Sequence, residues 1–117
     1  MSASRFFWSD LTRSDLAARD LSQAVAVLPV AAVEQHGPHL PLSVDADLAD
    51  GIVAACAAHL PADSPVLFLP VQRVGYSPEH LGFAGTLSLK ASTAMALWTD
   101  IAESAAATAG ARVLPVN

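Results

Sequence analysis

Three short apolar runs, separated by two longer stretches of helical pattern, constrain this chain more than any other feature. Val25-Ala26-Val27-Leu28-Pro29-Val30, within residues 24–32, is apolar without alternation, as in a strand buried on both faces. Val66-Leu67-Phe68-Leu69, ended by Pro70, is a second buried strand, and Arg112-Val113-Leu114-Pro115-Val116 is a third. Helix candidates occupy residues 46–60 and 92–109, and a shorter one, capped by Ser9 or Thr12, reaches about Asp20. Strand, loop, helix, strand, loop, helix, strand predicts an α/β fold with a parallel sheet flanked by helices.

Finer expectations follow from the same pattern. Pro29 removes a ladder hydrogen bond, which predicts an edge or a bulge nearby. Leu48, Ile52, Cys56 and Leu60 share a helical stripe beside Ala49 and Val53, so this stripe, Cys56 included, is expected to face the core, and Pro61 ends the helix. In the last helix Ser92 is the expected cap, Met95, Trp98, Ile101 and Ala105 point inward, and Gly110 supplies the stop. Thr86-Leu87-Ser88-Leu89 is expected to add a short strand. Phe6, Phe7 and Trp8 form an aromatic cluster that packs on the sheet or on a neighbouring subunit.

A length of 117 residues suits one small domain, residues 1–117, and a 53% apolar fraction excludes intrinsic disorder. Much of that fraction is alanine, which favours close helix packing. The net charge of −5, with Lys90 the only lysine, argues against nucleic acid or an anionic membrane surface as the main partner. Residues 1–8 do not resemble a signal peptide and no apolar run approaches a membrane span, so the cytoplasm is the expected location. Cys56 is alone and forms no internal disulfide.

The chemistry concentrates in Val33-Glu34-Gln35-His36-Gly37-Pro38-His39-Leu40-Pro41-Leu42-Ser43-Val44-Asp45, where one glycine and two prolines exclude a continuous helix or strand. Glu34 and His36 are two residues apart, so an extended segment turns both to one face. A carboxylate and an imidazole together suit zinc, manganese or a similar ion, and Asp45 arrives from the loop's far end. Three ligands are too few for a closed structural zinc site but fit an open catalytic one. Asp45 also falls in the first turn of a helix, where the dipole favours a negative charge. No Lys or Arg stands between Arg19 and Arg73, while Asp20, Glu34, Asp45, Asp47, Asp50 and Asp63 all do. Asp20 and Asp63 are expected to face water, and His39 and His59 to be surface or cap residues. Ligands bind beyond the carboxyl ends of strands in such sheets. Both irregular loops and Asn117 leave from those ends, which directs Glu34, His36, Asp45, Glu79, His80 and Asn117 toward one rim.

Residues 34–42, followed by Asp45, resemble the signature of the creatininase (creatinine amidohydrolase) family. Glu79-His80 with Phe83-Ala84-Gly85-Thr86 resembles its second block, with Ala84 where the family usually has proline. The resemblance runs from about Leu28 to Asn117. It implies a three-layer α/β/α fold with a mostly parallel sheet, a homo-oligomer that is often a hexamer, and two zinc or manganese ions per full-length subunit. Carried over by position, Glu34 binds one metal, His36 the other, and Asp45 bridges them. The implied reaction is hydrolysis of a C–N bond in a cyclic or linear small-molecule amide by a water shared between the metals. Glu79 and His80 are the candidate catalytic residues, contacting substrate or that water, with a salt-linked loop pair as the bland alternative.

Family members run to about twice this length and continue after the Val-Asn strand end with Gly-His and further ligands. The chain is therefore expected to represent the N-terminal half of the fold, cut after the third main strand, and to bind metal weakly and hydrolyse nothing in isolation. Exposed apolar surface would favour association with other copies. The competing expectation is a non-catalytic α/β assembly or binding module that lost the second half of the site. A nucleotide-binding domain is rejected, since no glycine-rich phosphate loop opens either long helix.

Overall fold

A computed structural model describes residues 3–117. Two 3-10 turns, Ala3–Phe6 and Trp8–Asp10, lead into α1 (Arg13–Ala17), followed by β1 (Val25–Pro29), α2 (Val44–His59), β2 (Val66–Phe68), a 3-10 turn at Pro78–His80, α3 (Ala91–Ala109) and β3 (Arg112–Val116). The sheet has the order β2-β1-β3, with both pairings parallel. A crossover of fixed hand that steps first to one side of β1 and then to the other places its two helices on opposite faces. The packing follows that rule. Phe6, Val53 of α2, Ala57 of α2 and Phe68 cluster on one face. Ala26, Leu28, Leu69 and Ala111 cluster on the other, with Trp98 and Ile101 of α3 packed against them. The result is the expected three layers.

α1 begins where Thr12 forms a capping box: the Asp15 backbone N–H donates to Thr12 Oγ1 at 3.0 Å, and the Thr12 N–H donates to the Asp15 carboxylate at 2.9 Å. The helix stops at Ala17, short of the expected Asp20. The third strand and the Gly110 stop (φ +70°) fall where the sequence placed them.

Several local expectations are corrected. Pro29 lies in the central strand, and its neighbours explain why. Carbonyls of Val27 and Pro29 accept from Leu69 and Gln72, so the odd residues of β1 bond toward β2, while Val30 bonds toward Val116. The missing Pro29 N–H thus faces β2 just beyond that strand's end at Phe68, where the pairing slips by one residue between Val27–Phe68 and Val30–Gln72, the bulge expected beside the proline. The α2 stripe is also rotated. Ala46, Val53 and Ala57 are buried, whereas Leu48 and Ile52 are 58% and 63% exposed and Cys56 is exposed. Val53 and Ala57 pack against Phe6 of the first 3-10 turn and Phe68, with Leu60 beside them as expected, which leaves Leu48, Ile52 and Cys56 on the outer side. Met95 is likewise exposed while Ala94 and Ala105 are buried. Lys90, not Ser92, occupies the N-cap of α3. Residues 86–89 form no strand but a single antiparallel bridge, Val33 to Leu87. Of the aromatic cluster, Phe6 enters the α2-face core, Phe7 stacks 5.9 Å from Phe68, and Trp8 packs on the α3 face.

The Cα radius of gyration is 15.7 Å, above the about 13 Å of a compact chain of about 100 residues. Exposed Leu114 and Val116 on β3 belong to the apolar surface that this open shape leaves uncovered.

Candidate metal centre

The segment after β1 is held by the segment after β2 through backbone bonds. Ala31 donates to the Gln72 carbonyl (2.8 Å) and Leu87 to that of Val33 (2.8 Å). Gln35 N–H donates to Thr86 Oγ1 at 3.1 Å. These bonds bring the two irregular loops side by side at the carboxyl ends of the strands. Gly75 is required there, because a Cβ would overlap the carbonyl oxygen of Ala31. Gly37 adopts φ +79°, the left-handed turn that folds the first loop back toward α2.

Glu34 stands at the extended start of the first loop and Asp45 is the second residue of α2. His36 lies between, with Nε2 3.3 Å from Asp45 Oδ1. One donor atom from each of Glu34, His36 and Asp45 falls within 4.8 Å of the others. Glu34, Glu79 and His80 form a second such group, so Glu34 is common to both. His80 Nε2 is 3.6 Å from Glu34 and 3.7 Å from Glu79. Five of the six rim residues expected from sequence are therefore brought into direct contact range.

The orientation of His36 bears on what the first group can hold. Its Nδ1 lies 3.0 Å from the backbone carbonyl of Glu34, which only accepts, so Nδ1 carries the proton. Nε2 then presents its lone pair toward Asp45. A ligating histidine characteristically donates its other ring N–H in this way. The Glu34 carbonyl raises the His36 pKa above the ordinary imidazole value, with the Asp45 and Glu34 carboxylates adding to it and desolvation opposing. Hard oxygen donors with one oriented imidazole fit a divalent cation.

Beside these residues opens a cavity of about 570 Å³, lined by Glu34, Asp45, Glu79 and Asn117 on its polar side and Leu48, Ala49 and Ile52 of α2 on its apolar side. The outward α2 stripe is thus a wall of the cavity. No Lys or Arg is among its lining residues. Ser77 is fully buried and lines it, as does Trp98, and neither Ser77 Oγ nor Trp98 Nε1 has a hydrogen-bond partner. A buried donor left unpaired costs about 1–3 kcal/mol, and both atoms lie beneath the cavity surface with almost no accessible area. Sequence reasoning missed Ser77 and assigned Trp98 to the core, because nothing in a single sequence marks an unpaired hydroxyl or indole.

The other acidic residues of the cation-free interval lie elsewhere. Asp20 is exposed and accepts from Ser22, Asp47 pairs with Ser43, Asp50 holds Arg73 at 2.8 Å, and Asp63 is exposed. His39 is exposed, and His59 bonds its own helix at the Ala55 carbonyl.

A family model described as Creatininase: Creatinine amidohydrolase matches residues 9–117. The mycofactocin precursor peptide peptidase of Mycobacterium tuberculosis is 38% identical over 86 residues, covering 68% of this chain and 34% of that protein. The protein of the same description from Mycolicibacterium smegmatis is 35% identical over 83 residues, covering 69% and 34%. Among solved structures, a creatininase variant complexed with creatine superposes with a TM-score of 0.80 at 31% identity, covering 96% of this chain and 44% of its own. A Zn–Zn type creatininase variant gives the same values. The chain spans about a third of the length of the curated relatives it matches and less than half that of the solved ones.

Proposed function

The chain belongs to the creatininase (creatinine amidohydrolase) family, and from that premise we propose that it serves a metal-dependent amidohydrolase acting on a C–N bond of a cyclic or linear amide. The observation that carries the reading is the convergence of Glu34, His36 and Asp45, with His36 Nδ1 committed to the Glu34 carbonyl and Nε2 turned to Asp45 at 3.3 Å. In this reading those three residues hold divalent metal, zinc or manganese, with two ions in a family-length subunit. Bound metal supplies Lewis acidity, lowering the pKa of a water and polarising the amide carbonyl. Leu48 and Ile52 wall the cavity, Glu79 lines it from the second loop, and His80 stands beside Glu79 and Glu34 as the other candidate catalytic residue. Relatives named as peptide peptidases and as a creatininase complexed with creatine support the amide class.

Self-association belongs to the proposal and is supported by exposed Leu114 and Val116. A cytoplasmic setting does too; among the described residues no helix is long and apolar enough to cross a membrane.

The test is hydrolysis of a panel of cyclic amides and short peptides by the family-length polypeptide loaded with zinc or manganese. Activity that disappears in Glu34→Ala supports the reading; metal-loaded protein inert toward the whole panel, or Glu34→Ala retaining full activity, contradicts it.

The raised His36 pKa gives a second expectation. In the metal-free chain its stabilisation is present below the unfolded imidazole pKa and is lost as pH rises through the folded value. Metal requires the neutral ring, so proton and metal compete, and affinity should fall by up to about tenfold per pH unit below the folded pKa. Calorimetric titrations across the neutral range check this, and the fall should begin above the ordinary imidazole pKa. A fall confined to the carboxylate range would be inconsistent with His36 as a ligand.

A further inference from the structure

His80 could in principle offer Nε2 as a third ligand beside Glu34 and Glu79. The residue that decides whether it does is Gln35. The Gly37 backbone N–H, which can only donate, lies 3.0 Å from one terminal atom of the Gln35 side chain, so that atom is the carbonyl oxygen. The other terminal atom is then the amide nitrogen, and it lies 2.9 Å from His80 Nδ1. An amide nitrogen only donates, so Nδ1 accepts. A neutral imidazole whose Nδ1 accepts carries its proton on Nε2. Glu34 Oε2 and Glu79 Oε1 lie 3.6 and 3.7 Å from that nitrogen.

We infer that Gln35 is a positioning residue that fixes His80 as the Nε2–H tautomer, so that His80 presents a hydrogen-bond donor, not a lone pair, to the Glu34 carboxylate. His36 and His80 are thereby set in opposite tautomers by their neighbours. The Glu34 carbonyl makes His36 a lone-pair donor at Nε2, and the Gln35 amide makes His80 a proton donor at the same ring position. The group Glu34, Glu79 and His80 consequently holds no cation of its own. Gln35 thereby sets an N–H, not a lone pair, 3.6 Å from the Glu34 carboxylate. Gln35 can do this because its backbone N–H is itself bound by Thr86 Oγ1, which locks the two loops together. The meaning of this for Glu34 as a ligand rests on the proposed metal reading, whereas the tautomer does not.

The test is nitrogen-15 NMR of the histidine rings in the metal-free 117-residue chain, followed over rising pH until the ring signals no longer move. His80 is assigned by the signal lost in His80→Gln. The expected spectrum has the His80 proton on Nε2. In Gln35→Glu one carboxylate oxygen still accepts from Gly37 and the other faces Nδ1 as an acceptor, so the proton should move to Nδ1. An Nδ1–H form of His80 in the unaltered chain would overturn the inference, as would an unchanged tautomer in folded Gln35→Glu. If Gln35→Glu does not fold, the spectrum of the unaltered chain decides alone. A chain that shows the expected tautomers but binds neither zinc nor manganese would refute the metal reading and leave this inference standing.

Discussion

Replacing His36 with alanine should lower the affinity of the chain for zinc by more than about 100-fold. Even partners that touch only the ligands are worth about 10–100-fold in affinity, and His36 offers its own lone pair, with Nδ1 committed to the Glu34 carbonyl. It is the only nitrogen donor in its group, so the variant keeps two carboxylates and loses the softer ligand. Fold stability should change little, because His36 is partly exposed and packs in no core cluster. His59→Ala is the matched control, since His59 is exposed and bonds only its own helix. Calorimetric titration with thermal unfolding separates the two effects. Equal zinc affinity in His36→Ala and the unaltered chain would remove His36 from the site.

Gly75→Ala should destabilise the protein by about 3 kcal/mol, the upper end for a forced overlap in a packed region. The added methyl meets a backbone carbonyl, Ala31, that cannot swing aside as a side-chain end would. Relief requires the two loops to separate, which strains the bonds from Ala31 to Gln72 and from Leu87 to Val33. Those bonds set the distance between Glu34 and the Glu79-His80 turn, so zinc affinity should fall with stability. Gly51→Ala is the useful contrast: a Cβ there meets nothing, and alanine is the better helix former by about 1 kcal/mol. Denaturant unfolding of both variants tests this, and an undiminished midpoint for Gly75→Ala would contradict it.

What the sequence made legible, and what it did not, divides along a physical line. β3 at Arg112–Val116 and the Gly110 stop were readable because each depends on local chemistry, an apolar run and a left-handed glycine. The approach of Glu34, His36 and Asp45 was readable because one loop carries all three. The buried face of α2 was not. Alanine and other apolar residues surround that helix, so two stripes, Leu48-Ile52-Cys56 and Ala46-Val53-Ala57, compete, and the second is selected by tertiary contact of Val53 and Ala57 with Phe6 and Phe68. Pro29 marks a bulge and not an edge, since it stands in the central strand where β2 ends and the pairing slips by one residue. The roles of Gln35 and Ser77 depend on partners, or missing partners, set by how two distant loops meet. No periodicity records that.

The central claim is that the first loop and the start of α2 form a metal site. Titrating zinc into the unaltered chain while following all four histidine rings by nitrogen-15 NMR tests it most directly. The account predicts that His36 Nε2 shifts strongly, that His80 keeps its proton on Nε2, and that His39 and His59 stay unperturbed. Zinc that leaves His36 unmoved, or that moves only His39 or His59, would contradict it.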